Sequence, residues 1–384
     1  MDNIYLFHSI ETKIYFNEEG VYINEKNISH EAVKNSLFHQ SEAIKILREH
    51  YREFLKKYFR NIVVLSAAGS SMDNGEHSGK DRIGLWNSVA EQLKDDKTIF
   101  NLIEFGKITK FFNGDGVETT EDGTNLKSDK EKDIEALLSK AHLAIEFIEK
   151  ENKKLVNTKK KIEEIIKKEC TLNLSETSKH KLLLHRLCAR SPKDNRLKLF
   201  TTNYDTLFEQ AASKDFVIVD GFSYNMPRTF NGRFFDWDFV FRLNSRIKNE
   251  ENFVPNVFHL YKLHGSINWD KEDSKIIISQ EPKNPLIIYP ASNKYESSFE
   301  QPYFEMMSRF QQEIRKEDVL LIVLGFSFYD KHLRNVIKES VEGNPSFRML
   351  VVNYNGENEG CINGINPDNE YLKYFINKPN VYLI

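Results

Sequence analysis

The stretch "LFTTNYDTLFEQ", Leu199 to Gln210, decides how this chain is interpreted. A short apolar run ends in Thr-Thr-Asn-Tyr-Asp, and a pattern typical of a helix follows at once. In a strand–turn–helix unit of an open α/β sheet, ligands bind at the carboxyl end of the strand. Asn203 and Asp205 stand at that point, so they are candidates for a helix cap and for a binding site.

The rest of the chain repeats this order of buried strand, polar turn and helix. Continuous apolar runs predict further strands in "NIVVLS" at 61–66, "VFHLYK" at 257–262, "VLLIVL" at 319–324 and "RMLVV" at 348–352. Strands of this kind, alternating with helices, are typical of a parallel sheet covered on both faces. The predicted fold class is therefore α/β, with a doubly wound, mostly parallel, Rossmann-like sheet.

Composition divides the chain into three parts. We expect a hairpin and helical lead-in at residues 1–59, and a sheet domain made of residues 60–99 and 196–384. Residues 100–195 are rich in helical patterns and predict an inserted helical module. In that module Ile148, Leu155 and Ile162 recur every seven residues, a spacing that fits an internal helix seam or an oligomer interface equally well.

Bulk composition excludes several classes of protein. The 384 residues are 40% hydrophobic and 29% charged with a net charge of −3, which favours a folded core and gives no general attraction to nucleic acid or membrane. Cys170, Cys188 and Cys361 are far apart, so neither a disulfide framework nor a cysteine zinc site is expected. The amino-terminal sequence lacks a signal-peptide pattern, and no apolar run reaches the roughly 20 residues of a membrane span. These features predict a cytoplasmic protein.

Four predicted strand ends carry small or polar residues. The segments are "LSAAGSS", "TTNYD", "KLHGSINW" and "VLGFSFYDKHLR". Taken singly, each fits a structural role as well as a functional one: tight packing, a helix cap, or a buried histidine. Because the carboxyl ends of parallel strands meet at one edge of a sheet, together they predict one site. Its candidate members are Ala67, Ala68, Gly69 and Ser71 in the first turn, Thr202, Asn203 and Asp205 in the second, His264 in the third, and Gly325 and Ser327 in the fourth, where Asp330 is expected to cap the next helix.

In this order, the four segments resemble the sirtuin-like NAD hydrolases of bacterial antiphage defence, over residues from about 61 to 384. They are most similar to the members paired with a HerA-type ATPase. The resemblance implies a sirtuin-type sheet, NAD⁺ as the substrate, and NAD depletion during infection as the biological outcome. It also implies a homo-oligomer that docks a hexameric HerA-type ATPase. Nucleic acid would be contacted only through that partner, if at all, and no membrane is expected as a partner.

The same resemblance assigns roles to individual residues. Asn203 would position the attacking water, Asp205 would contact the nicotinamide end, and His264 would act as general base near the ribose hydroxyls, provided that it stays neutral. The turn with Ala67, Ala68, Gly69 and Ser71 would cradle the pyrophosphate. Gly325 and Ser327 would lie in the loop on the adenosine side, and Asn353 in "VVNYN" would contact that ribose.

The sequence also departs from the family pattern. Ala67 replaces the first glycine of the usual Gly-Ala-Gly turn, and the aspartate–arginine signature and zinc-ribbon cysteines of protein deacylases are missing. We therefore expect NAD⁺ hydrolysis without zinc. The alternatives are an NAD-dependent protein deacylase, or a module that senses ADP-ribose or a related nucleotide without turnover. A nuclease that acts together with the HerA-type ATPase is the least favoured alternative, because no metal-carboxylate cluster is evident in the sequence.

Overall fold

The structure is a computed structural model. It describes residues 4–29, 36–55, 57–72, 74–112, 117–147, 153–191, 194–241, 253–272, 275–283, 285–287, 301–352 and 369–383. The strands are β1 (Ile4–His8), β2 (Lys13–Asn17), β3 (Gly20–Ile23), β4 (Lys26–Asn27), β5 (Asn61–Ser66), β6 (Leu197–Thr201), β7 (Val217–Val219), β8 (Val257–Lys262), β9 (Gly265–Glu272), β10 (Lys275–Ile278), β11 (Pro285–Ile287), β12 (Val319–Leu324), β13 (Arg348–Val352) and β14 (Val381–Leu383). The helices are α1 (Ser36–Leu55), α2 (Ala68–Met72), α3 (Arg82–Leu93), α4 (Leu102–Ile108), α5 (Ile134–Phe147), α6 (Lys153–Cys170), α7 (His180–Cys188), α8 (Leu207–Ala212), α9 (Tyr303–Ile314), α10 (Lys331–Gly343) and α11 (Glu370–Ile376).

Among the described residues, seven strands form a parallel sheet in the order β14-β13-β12-β5-β6-β8-β7. Apolar residues are buried along both faces of its central strands, which explains why these strands read as continuous hydrophobic runs. The predicted fold class, α/β with a doubly wound, mostly parallel Rossmann-like sheet, is confirmed. None of the helices that the structure describes is both long and apolar enough to cross a membrane.

The direction of strand order reverses between β5 and β12. From β5 the chain moves to β6 on one side, and later returns to β12 on the other side of β5. Ser66 at the end of β5 pairs in register with Leu324 of β12 and with Thr201 of β6, while Thr201 pairs with Lys262 of β8. The turns that follow these four residues therefore lie at one level, at the switch point where α/β sheets bind ligands.

The N-terminal strands belong to the same sheet. β1 pairs antiparallel with β14 at His8 and Leu383, and β2, β3 and β4 continue outward from it. Helix α1 packs on this extension through a small core that contains Phe16, Val21 and Ala43. The predicted hairpin at 1–59 is thus a four-stranded edge of the main sheet, because β14 leaves an edge with which β1 pairs.

The helical cluster, defined here as α3 to α6, has a core of its own. Most of its apolar side chains come from residues 85–170, joined by Tyr204 and Ile267, whereas Leu184 of α7 packs in a separate core against the sheet. The boundaries therefore differ from the predicted module at 100–195: α3 belongs to the cluster and α7 does not. Each helix belongs to the core in which its apolar face is buried, and composition does not show which core that is.

The seven-residue spacing in the helical cluster is an internal seam. Leu155 and Ile162 are buried in the core of the cluster, with 1% and 0% of their surface exposed. Ile148 lies outside the described residues. The interpretation of this spacing as an oligomer interface is wrong for Leu155 and Ile162, because their side chains already pack inside the chain.

Candidate active site

Asn203 is anchored immediately after β6. Its Nδ2 donates to Ser71 Oγ at 2.7 Å, to the carbonyl of Ala67 at 3.0 Å and to Ser70 Oγ at 3.3 Å. A carbonyl oxygen only accepts hydrogen bonds, so the contact with Ala67 fixes which end of the amide carries the NH₂ group. The amide of Asn203 is therefore held in one orientation by the turn after β5.

Asp205 both caps a helix and faces the same turn. Its Oδ1 accepts the N–H of Leu207, the first residue of α8, at 3.0 Å, and its Oδ2 accepts Ser71 Oγ–H at 2.7 Å. The carboxylate is buried, with 7% of the residue exposed. The two interpretations of Asp205 in the sequence are thus compatible, because one oxygen serves the helix and the other reaches the site.

A buried lysine that the sequence interpretation missed supports this turn. Lys262, the last residue of β8, donates from Nζ to the carbonyls of Tyr204 and Asp205 and pairs with Glu209 at 3.1 Å. Burial is the main cause that raises the pKa of Glu209, against the opposing charge of Lys262. The only signal in the sequence is a lysine at the end of an otherwise apolar strand. Its three acceptors show that Lys262 holds the "NYD" turn in place.

Gly69 and Gly325 bring the turns after β5 and β12 into contact. A Cβ on Gly69 would lie 2.6 Å from the Cα of Gly325, and a Cβ on Gly325 would lie 2.4 Å from the Cα of Gly69. Gly325 also has φ of +59°, where side chains are disfavoured. Both predicted glycines are therefore required by the close approach of two backbones at the switch point.

The small-residue turn is already hydrogen-bonded within the chain. Ala67 N–H donates to the carbonyl of Leu324 at 2.9 Å, Gly69 N–H to that of Gly325 at 3.2 Å, and Ser70 N–H to that of Ala67 at 2.9 Å. Ala67 is buried, so its methyl group is accommodated by packing. A phosphate bound by this turn would compete with those carbonyls for the N–H groups.

His264 lies between two carboxylates. Its Nε2 is 3.3 Å from Asp330 Oδ2, and its Nδ1 is 3.6 Å from Glu135 Oε1. Asp330 caps α10 as predicted, since its Oδ1 accepts the N–H groups of His332 and Leu333. Tyr204 OH donates to Glu135 Oε1 at 2.6 Å. The imidazole, only 5% exposed, is therefore fixed from both sides.

The two carboxylates set the charge of His264. Burial alone lowers the pKa of the imidazole, but the charges of Glu135 and Asp330, together with the hydrogen bond to Asp330, outweigh it and raise the pKa to about 10. Burial likewise opposes ionisation of Asp330, yet the contact with His264 brings the pKa of that carboxyl below its usual value. The two carboxylates thus favour the imidazolium form of His264, whereas the predicted role as general base requires the neutral form.

Four predicted residues remain, and the structure describes three of them at the turns of the candidate site. Thr202 N–H donates to the carbonyl of Ser66 at 3.0 Å, which continues the pairing of β6 with β5. Ser327 contributes its backbone carbonyl, which accepts from Asn369 Nδ2 at 3.0 Å. Ala68 begins the short helix α2, beside Gly69. Asn353 lies outside the described residues.

Glu135 and Tyr204 belong to the contacts around His264, and the sequence interpretation did not single them out. Tyr204 lies inside the quoted "TTNYD" segment and was available as a signal. Glu135 lies on α5, far from the other members along the chain, and no pattern in the sequence connects it with His264. Only the packing of the helical cluster against the sheet brings it there.

Metal ligands do not gather at this site. Within the described ranges, no group of three or more His, Cys, Asp or Glu side chains is placed to hold a metal ion. Cys170 and Cys188 are free thiols, and burial raises the pKa of each to about 12. Cys361 lies outside the described residues.

A depression also exists at the opposite edge of the sheet. It lies at the amino ends of β12 and β13 and is lined by Arg315, Asp318, Glu339 and Asn344, among others. None of the predicted site residues lines it. The carboxyl edge remains the candidate site, because parallel sheets bind ligands there.

Comparison with known families agrees with this geometry. Residues 197–377 match a SIR2-like domain. The match starts at β6 and includes Asn203, Asp205, His264 and Asp330, whereas the turn after β5 and Glu135 lie before it. No curated protein matches the chain. The SIR2-like domain is a sirtuin-like, NAD-binding domain, so an NAD-related enzymatic function fits this part of the chain.

Proposed function

We propose that the chain hydrolyses NAD⁺ to nicotinamide and ADP-ribose. The observation that carries this proposal is the anchored amide of Asn203 at the switch point of a SIR2-like domain. Its NH₂ group is occupied by Ser71 and Ala67, while its Oδ1 accepts no hydrogen bond from the described residues. That oxygen is therefore available to orient a water molecule.

The surrounding charges suit the reaction. Cleavage breaks the bond between C1′ of the ribose and the pyridinium nitrogen, and the electron pair neutralises the departing nicotinamide. Positive charge then builds on the ribose, and the buried carboxylate of Asp205 lies beside Asn203 to stabilise it. Water adds to C1′ and releases one proton.

His264 is the group proposed to take that proton, and it must first release its own proton to solvent. The pyridinium of NAD⁺ is cationic, and a like charge near an imidazolium lowers its pKa. Binding of NAD⁺ therefore favours the neutral imidazole that a general base requires.

The biological setting follows from the resemblance of the four strand-end segments. We propose a role in antiphage defence through NAD depletion, with a homo-oligomer of this chain docked on a HerA-type ATPase. Because Leu155 and Ile162 are buried within the chain, the interface must use other residues. The missing zinc-ribbon cysteines favour hydrolysis over deacylation, since that ribbon frames the peptide cleft in the deacylases that the chain resembles.

The test is incubation of the purified chain with NAD⁺, alone and with a HerA-type ATPase, followed by product analysis. We expect nicotinamide and ADP-ribose without added peptide, and a loss of about 10²-fold or more in Asn203→Ala and His264→Ala. Asn377→Ala and His185→Ala are matched controls, because both side chains are exposed and their contacts, with the Lys373 carbonyl and the Phe216 ring, involve no candidate site residue. Light scattering of the same samples measures the assembly.

Three outcomes would contradict the proposal. Turnover that requires an acyl-lysine peptide indicates a deacylase. Binding of ADP-ribose with no turnover in either sample indicates a sensing module. Folded Asn203→Ala and His264→Ala variants with wild-type rates would remove both residues from the mechanism.

A further inference from the structure

Two carboxylates of the described residues lie at His264, and Glu135 is the one from outside the SIR2-like match. It lies in the first turn of α5, within the helical cluster, whereas the match begins at residue 197. Its Oε1 is 3.6 Å from His264 Nδ1 and accepts the hydroxyl of Tyr204 at 2.6 Å. A residue of the helical cluster thus reaches the imidazole that the proposed reaction uses.

Residues outside the helical cluster also support the contact between Glu135 and His264. Tyr204 and Ile267, which flank the site, pack into the apolar core of the helical cluster. His264 is buried, and Nδ1 has no hydrogen-bond partner within normal distance, so the carboxylate of Glu135 is the acceptor that faces it. Its side chain remains 32% exposed, which leaves it reachable from solvent.

We propose that Glu135 is a positioning residue for His264, and that the helical cluster thereby completes the catalytic site. Glu135 and Asp330 hold opposite nitrogens of the ring, which fixes the ring plane and leaves it no free rotation about its bond to Cβ. Tyr204 restrains Glu135 in turn. The inference rests on the proposed function only in the claim that His264 takes part in catalysis.

The charged and titratable groups around the ring define the expected pH dependence. Asp330 approaches from the start of α10, Glu135 from α5 and Tyr204 from the turn after β6. Tyr303 of α9 is close enough to Asp330 for that charge to contribute to raising the pKa of its phenol, after burial. Removing the charge of Glu135 leaves Asp330 as the remaining carboxylate partner, so the pKa of His264 should fall.

The decisive experiment is Glu135→Gln, which keeps the shape of the side chain and removes its charge. The titration of His264 is followed by NMR in the ligand-free chain with labelled histidine, and its signal is assigned by its absence in His264→Asn. We expect the pKa of His264 to fall by about one unit or more. The rising limb of the pH profile of kcat/KM for NAD⁺ cleavage should move to lower pH by the same amount.

Two further variants keep the test interpretable. Glu131→Gln makes the same change of charge just before α5 on an exposed residue, and it should leave both curves unchanged. Tyr204→Phe frees Glu135 without altering its charge, so the pKa of His264 should fall by less than in Glu135→Gln. If Glu135→Gln does not fold, the Tyr204→Phe titration remains as the measurement.

The outcomes separate this inference from the proposed function. An unchanged titration of His264 in folded Glu135→Gln overturns the inference, whatever the enzyme does with NAD⁺. A lowered pKa with no NAD⁺ cleavage in wild type supports the contact and overturns the proposed function. A lower rate with an unmoved pH profile would make Glu135 merely structural and would also overturn the inference.

Discussion

Ser71 joins the two polar residues of the turn after β6. Its hydroxyl accepts from Asn203 Nδ2 and donates to Asp205 Oδ2, both at 2.7 Å, and the residue is 4% exposed. A hydroxyl is suited to this place because it accepts and donates at the same time. Neither Asn203 nor Asp205 is therefore positioned by its own backbone alone.

Replacing Ser71 by alanine should weaken both the fold and the reaction. The change leaves a buried carboxylate oxygen and an amide N–H with one partner fewer, a loss of about 1–3 kcal/mol in the free energy of unfolding. We also expect the rate of NAD⁺ cleavage to fall by about tenfold or more, because Asn203 is less firmly oriented.

Urea unfolding and kinetics check this expectation. Ser78→Ala is the matched control, since its hydroxyl is exposed and bonds only to the nearby carbonyl of Gly75 in the described structure. Equal stability and activity in Ser71→Ala and wild type would show that Ser71 does not link Asn203 to Asp205.

At the scale of elements, two turns meet where β5 and β12 end. Their contact depends on glycine at 69 and 325, because no room exists for a Cβ on either residue. The contact holds α2 against the loop that leads to α10, and that loop ends at Asp330. The distance between the two turns therefore determines where the carboxylate of Asp330 lies relative to His264.

Gly325→Ala should separate the two turns. The added methyl group would lie 2.4 Å from the Cα of Gly69, and φ of +59° is unfavourable for alanine. Strain and overpacking together predict a loss of about 2 kcal/mol or more in the free energy of unfolding, and weaker NAD⁺ binding.

Gly343→Ala provides the comparison at the end of α10. A Cβ there meets nothing within 4 Å, so stability should be unchanged or higher by up to about 1 kcal/mol. Thermal unfolding and NAD⁺ titration of the two variants distinguish local strain from a general effect of replacing glycine. Equal stability of both variants would contradict the close approach.

At the scale of the whole molecule, the charge of His264 joins three parts of the chain. The ring follows β8, Asp330 precedes α10, and Glu135 belongs to the helical cluster. The pKa of His264 in the fold is about 10, above the ordinary 6.5 of an unfolded chain. Its contribution to stability is therefore fully present below pH 6.5 and is lost as the pH rises to about 10.

This linkage predicts a pH dependence of thermal unfolding. Between pH 7 and pH 10, the melting temperature of wild type should fall toward that of His264→Gln, which lacks the ionisable ring. Scanning calorimetry of both proteins across that range measures the difference. A difference that stays constant or grows with pH would mean that His264 is not held as a cation in the fold.

The sequence alone determined the fold class and which residues stand at the strand ends of the candidate site. Buried parallel strands must be apolar on both faces, so β5, β6, β8, β12 and β13 were recognisable from continuous apolar runs. The strand ends interrupt these runs with glycine, asparagine and histidine, and this local contrast singled out Asn203, His264 and Gly325 as candidates. These signals lie between neighbouring residues of the chain, so they can be recognised in a single sequence.

Only the tertiary structure decided which charges surround His264 and how the helices are grouped. Glu135 reaches the ring from α5, Lys262 supports the turn after β6, and β1 joins β14, and all three contacts link residues that are distant along the chain. The same packing buries Leu155 and Ile162 inside the helical cluster. Periodicity shows that a helix has an apolar face, but the partner of that face depends on how the whole chain packs.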